Sequence, residues 1–115
     1  MTNIKTFDDA CKALNIDPAT VINANDTIDE QAYKKLKVII KALNEGWEPN
    51  WKDRNEWKYY PWFDMSSGSG LPCLDFVFLF SDSIVGSRLC LKSSELAIYA
   101  GETFIDLYTD FFIIK

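Results

Sequence analysis

Apolar residues recur at helical spacing through the first third of the chain, alternate in its middle, and return to helical spacing near its end. Phe7, Ala10, Cys11 and Leu14 mark a first helix. Thr6 can cap it, and its opening turn carries Asp8 and Asp9, where the helix dipole favours negative charge. Asp17-Pro18 restarts the chain into a short helix that buries Val21 and Ile22, with proline in the first turn, where its missing N–H costs nothing. Thr27 and Glu30 form a capping box. Ala32, Tyr33, Leu36, Ile39, Ile40 and Leu43 then lay one stripe along a main helix predicted from Asp29 to Glu45. Gly46 stops it, being free to take the left-handed conformation.

The middle of the chain reads as sheet. Residues 48 to 55 are rich in Pro, Asn and Asp and form a loop, and Trp57 to Met65 has strand composition, with Pro61 restricting it to an edge or a bulge. Ser66 to Gly70 is a turn. Leu74, Phe76, Phe78 and Phe80 alternate with Asp75, Val77 and Leu79, which predicts a second strand with one strongly buried face. A turn at Asp82-Ser83 leads to a third strand from Val85 to Leu91, with Arg88 and Lys92 on its polar side. Ser93 or Ser94 caps a last helix reaching about Phe112, whose stripe is Leu96, Ala97, Ala100, Phe104, Leu107, Tyr108 and Phe111. The expected architecture is a single α+β domain over residues 1–115: N-terminal helices, a three-stranded antiparallel meander, and a C-terminal helix packed with the main helix on one sheet face.

Composition narrows the chemistry. With no histidine, the commonest general base is missing, and so is any Cys/His zinc site. Cys11, Cys73 and Cys90 are odd in number, widely spaced and flanked by apolar positions, which suits buried free thiols in a reducing compartment. No phosphate-binding loop, nucleophile elbow or Ser-x-x-Lys pair occurs. Asp53, Glu56 and Asp64 lie near aromatic residues, but such proximity arises by chance among seventeen acidic residues. The expectation is a protein without catalytic residues, cofactor or metal. A net charge of −5 opposes broad binding to nucleic acid or anionic lipid, and the lysine-rich stretch Lys34-Lys35-Leu36-Lys37 reads as a solvated helix face. No apolar run approaches the length of a membrane span and no signal peptide is read, so a soluble, intracellular protein is expected.

One feature stands out after that. All four tryptophans fall between Trp47 and Phe63, together with Tyr59 and Tyr60 and interleaved with Lys52, Arg54 and Lys58. Trp47 continues the main-helix stripe and reads as core. Trp57, Tyr59 and Phe63 would share one strand face, and Tyr60 and Trp62 the other. Trp51, set among Asn50, Lys52 and Asp53, reads as the exposed indole. The candidate binding residues are therefore Trp51, Arg54, Lys58, Tyr60 and Trp62, with Arg88 from a neighbouring strand. The basic and acidic residues of the window balance, which suits a protein partner better than a phosphate backbone.

Several blocks also carry a resemblance. Phe7-Asp-Asp-Ala-Cys-Lys-Ala-Leu14, Ala42-Leu-Asn-Glu-Gly-Trp47-Glu-Pro-Asn-Trp51, Lys58-Tyr-Tyr-Pro-Trp62-Phe63, Ser67-Gly-Ser-Gly70, Val85-Gly-Ser-Arg-Leu-Cys90 and Glu95-Leu-Ala-Ile-Tyr-Ala-Gly101 occur in this order. The series resembles small proteins encoded by phages and prophages of anaerobic gut bacteria, a group with no established activity. The resemblance implies a phage-related origin, and with it a location in the cytoplasm of a bacterial host cell, and carries over no catalytic residue. The functional expectation is a non-catalytic accessory protein that binds a host or phage macromolecule through the aromatic window. The alternative is a single-stranded nucleic-acid binder of phage replication, using the same aromatic residues as a stacking platform. No membrane partner is expected, and the oligomeric state is left open.

Overall fold

The computed structural model describes residues 3–63, 65, 73–79 and 85–114, with residues 73–79 represented by their backbone. Helix α1 runs from Phe7 to Leu14 and begins with a reciprocal capping box. Thr6 Oγ1 accepts from the Asp9 N–H, and the Asp9 carboxylate accepts from the Thr6 N–H. Backbone donors from Lys5 and Thr6 hold the Asp9 carboxyl below its ordinary range. The restart at Asp17-Pro18 is one 3-10 turn, Pro18–Thr20, capped by Asp17, and it leaves Val21 and Ile22 only partly buried. Helix α2, Ile28–Asn44, also opens on a capping box, between Thr27 and Glu30. Its stop differs in detail from the expectation. Glu45 is already left-handed at φ 50°, and Gly46 follows at φ 90°, so the reversal is spread over two residues. A side-chain-bearing residue in that region carries some strain, which the helix-end hydrogen bond from Glu45 N–H to the Ala42 carbonyl offsets.

The three-stranded meander is overturned, and the architecture is mostly helical. Strands β1, Lys58–Phe63, and β2, Cys73–Leu79, form a two-stranded antiparallel ribbon in which Lys58 faces Leu79 and Tyr60 faces Val77. A register shift falls between Trp62 and Phe63. The two turns expected around Ser66–Gly70 and Asp82-Ser83 lie outside the described residues. Where the third strand was expected, Ser87–Leu89 winds into a 3-10 turn after Gly86, which sits at φ 76°. Among the described residues of this segment, Leu91 bridges to the ribbon through two backbone hydrogen bonds exchanged with Tyr59. The apolar positions Leu89 and Leu91 are buried as the alternation suggested, but a turn serves that purpose as well as a strand does.

The last helix is likewise two helices, α3 (Ser94–Thr103) and α4 (Ile105–Phe112). Phe104 breaks them at φ −110° and ψ 31°. The break has a packing reason: α3 lies on the β1–β2 ribbon, brought close by buried Ala97, Ala100 and Gly101, whereas α4 packs against α2. One straight rod would not serve both neighbours. Helix α2 does not join α3 on the ribbon; its principal partners are α1 and α4. Among the described residues no helix is long and apolar enough to cross a membrane.

The predicted stripe of α2 is the centre of the core, with Leu36, Ile39, Ile40 and Leu43 buried against Leu89, Leu91, Phe104 and Tyr108. Ile40→Val is expected to lower the unfolding free energy by about 1 kcal/mol, the usual cost of one buried methyl group. A denaturant melt indistinguishable from wild type would show that the site repacks without loss. Cys11 and Cys90 are buried free thiols, and burial, assisted by Asp8 and Asp17, pushes the Cys11 thiol above its ordinary range.

Candidate functional site

The loop between α2 and β1 is tightly built despite its polar composition. Asn50 Oδ1 accepts from the Lys52 N–H, and Asp53 Oδ1 from the Asn55 N–H, two side-chain turns that suit Asn and Asp. The Glu56 carboxylate accepts from the Asn50 N–H at 2.6 Å and closes the loop. Lys58 completes it from within. Its side chain is 0% exposed, and its ammonium donates to the carbonyls of Asp53 and Glu56 at 3.2 and 3.1 Å. The Glu56 carboxylate pairs with the same ammonium at 3.2 Å, and the Trp51 ring lies 5.3 Å from it. A buried ammonium is tolerated only when paired and hydrogen-bonded, and here the loop supplies both conditions plus an aromatic face.

This arrangement reassigns most of the expected contact residues. Trp51, expected to be exposed, is partly buried, and its indole N–H donates to Ser87 Oγ, fastening the loop to the 3-10 turn beside Arg88. Lys58 and Tyr60 are buried. Arg54 and Arg88 are exposed, and Trp62 is 48% exposed near the end of β1. Trp51 and Lys58 are thus brought together as parts of one interior cluster, with Arg88 next to the Ser87 tie. Trp62 stands apart at the other end of the strand. The expected sharing of faces holds in part: the Trp57 and Tyr59 rings meet at 6.2 Å between centroids, whereas Phe63 packs away from them on Tyr108 and Phe112. For Phe63 the register shift at Trp62/Phe63 is the reason, because it breaks the period-two rule at that end of β1.

A groove of about 830 Å³ runs beside this loop. The later turns of α2 contribute Val38 and Ile40 to it with Lys37 and Lys41, Trp47 and Pro49 add apolar surface, and Arg88 also lines it. Trp47 is therefore only partly buried and lines a surface, where the sequence reading placed it in the core. Lys37 and Lys41 were missed as site residues. Their signal was their four-residue spacing, which sets both on one side of the helix just before the tryptophan. A second depression, about 490 Å³, lies between the start of α2 and the end of α4 and includes Ile28, Phe111, Asp29 and Asp110. Among the described residues no group of three or more Cys, Asp and Glu side chains is arranged to hold a metal ion.

The chain matches no protein-family model, no curated protein and no solved structure.

Proposed function

We propose that this chain is a non-catalytic accessory domain of phage-related origin that docks a protein partner through Trp57 and Trp62. The observation behind the reading is that these two indoles stay 46% and 48% exposed, whereas Tyr60 is buried and Tyr59 and Phe63 are partly buried. Large aromatic side chains left half in water are the side chains that anchor protein interfaces. Met65, also half exposed, adds a third apolar side chain just beyond Trp62. The burial of Lys58 and Tyr60, and the engagement of Trp51 with Ser87, withdraw three members of the stacking platform that a single-stranded nucleic acid would need. A protein partner is favoured for that reason.

Trp62→Ala is expected to change folding stability by less than about 0.5 kcal/mol, as surface substitutions do. It should also weaken the principal interaction by roughly thirtyfold, the effect of losing one anchor residue. A photo-crosslinking residue placed at position 62 identifies the partner in host cells, and calorimetry with that partner reads the loss. An equal affinity for wild type and the Trp57→Ala/Trp62→Ala variant would remove this surface from the function. Quenching of tryptophan fluorescence by oligonucleotides at low salt would instead restore the nucleic-acid reading.

A further inference from the structure

We infer that the groove between α2 and the aromatic loop is a binding site for an extended acidic peptide segment that carries an apolar side chain beside its carboxylates. The inference goes beyond docking at Trp57 and Trp62 and shares no residue with that surface. Size permits it: about 830 Å³ lies within the range of roughly 300–1,000 Å³ typical of ligand sites.

Charge is the first argument. The whole chain carries −5, yet the groove gathers Lys37, Lys41 and Arg88 against the single carboxylate of Glu48. Lys41 and Arg88 make no ion pair among the described residues, and the Lys37 ammonium rests 5.0 Å from the Tyr33 ring instead of on a carboxylate. Lys34, Lys58 and Lys92, by contrast, are paired with Asp26, Glu56 and Glu45. Lys41 and Arg88 thus line the groove without an internal carboxylate partner, and an anionic occupant supplies one.

Spacing and dipole select the kind of anion. Four residues along a helix advance about 6 Å, so the stems of Lys37 and Lys41 leave the helix at nearly the interval, about 6.7 Å, between alternate residues of an extended chain, and Lys37 leaves the Tyr33 ring to use it. Two acidic residues separated by one other can meet both lysines at once, leaving Arg88 for a further carboxylate. The end of α2 that borders the groove is its C-terminal end, where the negative end of the helix dipole opposes a concentrated dianion such as a phosphate. Carboxylates spread along a peptide reach the lysines one and two turns back and avoid that penalty. Trp47 and Pro49 supply the apolar surface on which a neighbouring aliphatic or aromatic side chain would lie.

A display library of short random peptides, panned on the wild-type protein at low salt, tests this. The selected peptides should share an acidic-x-acidic pattern beside a large apolar residue. A labelled representative, followed by fluorescence anisotropy, should bind about tenfold more weakly to Lys41→Glu or to Arg88→Glu, and its affinity should fall with added salt. Lys52→Glu, outside the groove, should bind as wild type does, and so should Trp62→Ala, which separates this site from the proposed docking surface. Thermal melts of all variants establish that they fold. Selection without acidic enrichment, or equal binding by the Lys41→Glu/Arg88→Glu double variant, would overturn the inference. Displacement of the peptide by equimolar inorganic phosphate would overturn it in favour of a small-anion site.

Discussion

Lys58→Met is expected to lower the unfolding free energy by about 3 kcal/mol, the lower end of the range for breaking a buried ion pair by removing one partner. The methionine retains most of the apolar stem, so the loss reports on the ammonium and not on a cavity. Without it, the carbonyls of Asp53 and Glu56 lose their donor, and the Glu56 carboxylate, partly shielded at 23% side-chain exposure, loses its counter-charge. Glu56→Gln should cost less, because the amide can still accept from the Asn50 N–H and from the lysine. The Trp51 ring adds a contribution of about 1 kcal/mol through its face, measurable as the coupling in a double-mutant cycle between Trp51→Leu and Lys58→Met. Urea melts read by tryptophan fluorescence decide the matter. If Lys58→Met melted within error of wild type, the loop would not depend on its buried cation.

Asn44→Asp is expected to be as damaging, for a different reason. Asn44 is 5% exposed at the end of α2, and its side-chain amide spans two backbone groups of a distant segment. Nδ2 donates to the Cys90 carbonyl at 2.8 Å, and Oδ1 accepts from the Lys92 N–H at 3.1 Å. The side chain thus supplies both bonds that a neighbouring strand would have supplied to residues 90–92, where the strand ladder is absent. Alanine at this position leaves both groups unmet, at about 1–3 kcal/mol each. Aspartate keeps the acceptor but turns a carboxylate toward the Cys90 carbonyl, adding charge burial to a lost donor. The opposition of the two oxygens raises the introduced carboxyl's folded-state pKa above its unfolded value. The neutral acid is then the form that folds, so the variant's stability is present at low pH and is lost as pH rises through the folded pKa. Wild type, with a neutral amide there, lacks that contribution. Thermal melts of Asn44→Ala and Asn44→Asp across pH 4 to 8 test both claims, the range bracketing an ordinary carboxyl near about 4. A pH-independent deficit in Asn44→Asp would mean that the carboxylate escapes to solvent and that the clamp is dispensable.

Both residues show where reading the chain falls short. Lys58 stands between Trp57 and Tyr59 in a run of strand character, and a lysine there reads as a solvent-facing contact. Its burial depends on carbonyls of Asp53 and Glu56 that converge only after the loop has closed. Asn44 stands in the last turn of a helix stripe, where an asparagine reads as part of the stop signal. Its partners are 46 and 48 residues away. Trp51 follows the same logic: its neighbours in sequence are polar, but its partners in space are Ser87 and Lys58.

The sequence by itself determined the elements whose information is local. The caps at Thr6, Asp17 and Thr27, the stripe of α2 and the pairing region of β1 were all legible, because a cap needs partners two or three residues away and a helix stripe needs only its own period. Tertiary structure decided the rest. Alternation from Val85 to Leu91 was equally compatible with a strand and with a turn that buries Leu89 and Leu91, and the Asn44 side chain took the place of a third strand's hydrogen bonds. The stripe from Leu96 to Phe111 was compatible with one helix, yet packing on two different neighbours broke it at Phe104. Periodicity states which residues avoid water. Whether a strand, a turn or a broken helix takes them out of it depends on the surfaces they meet, and those surfaces come from distant parts of the chain.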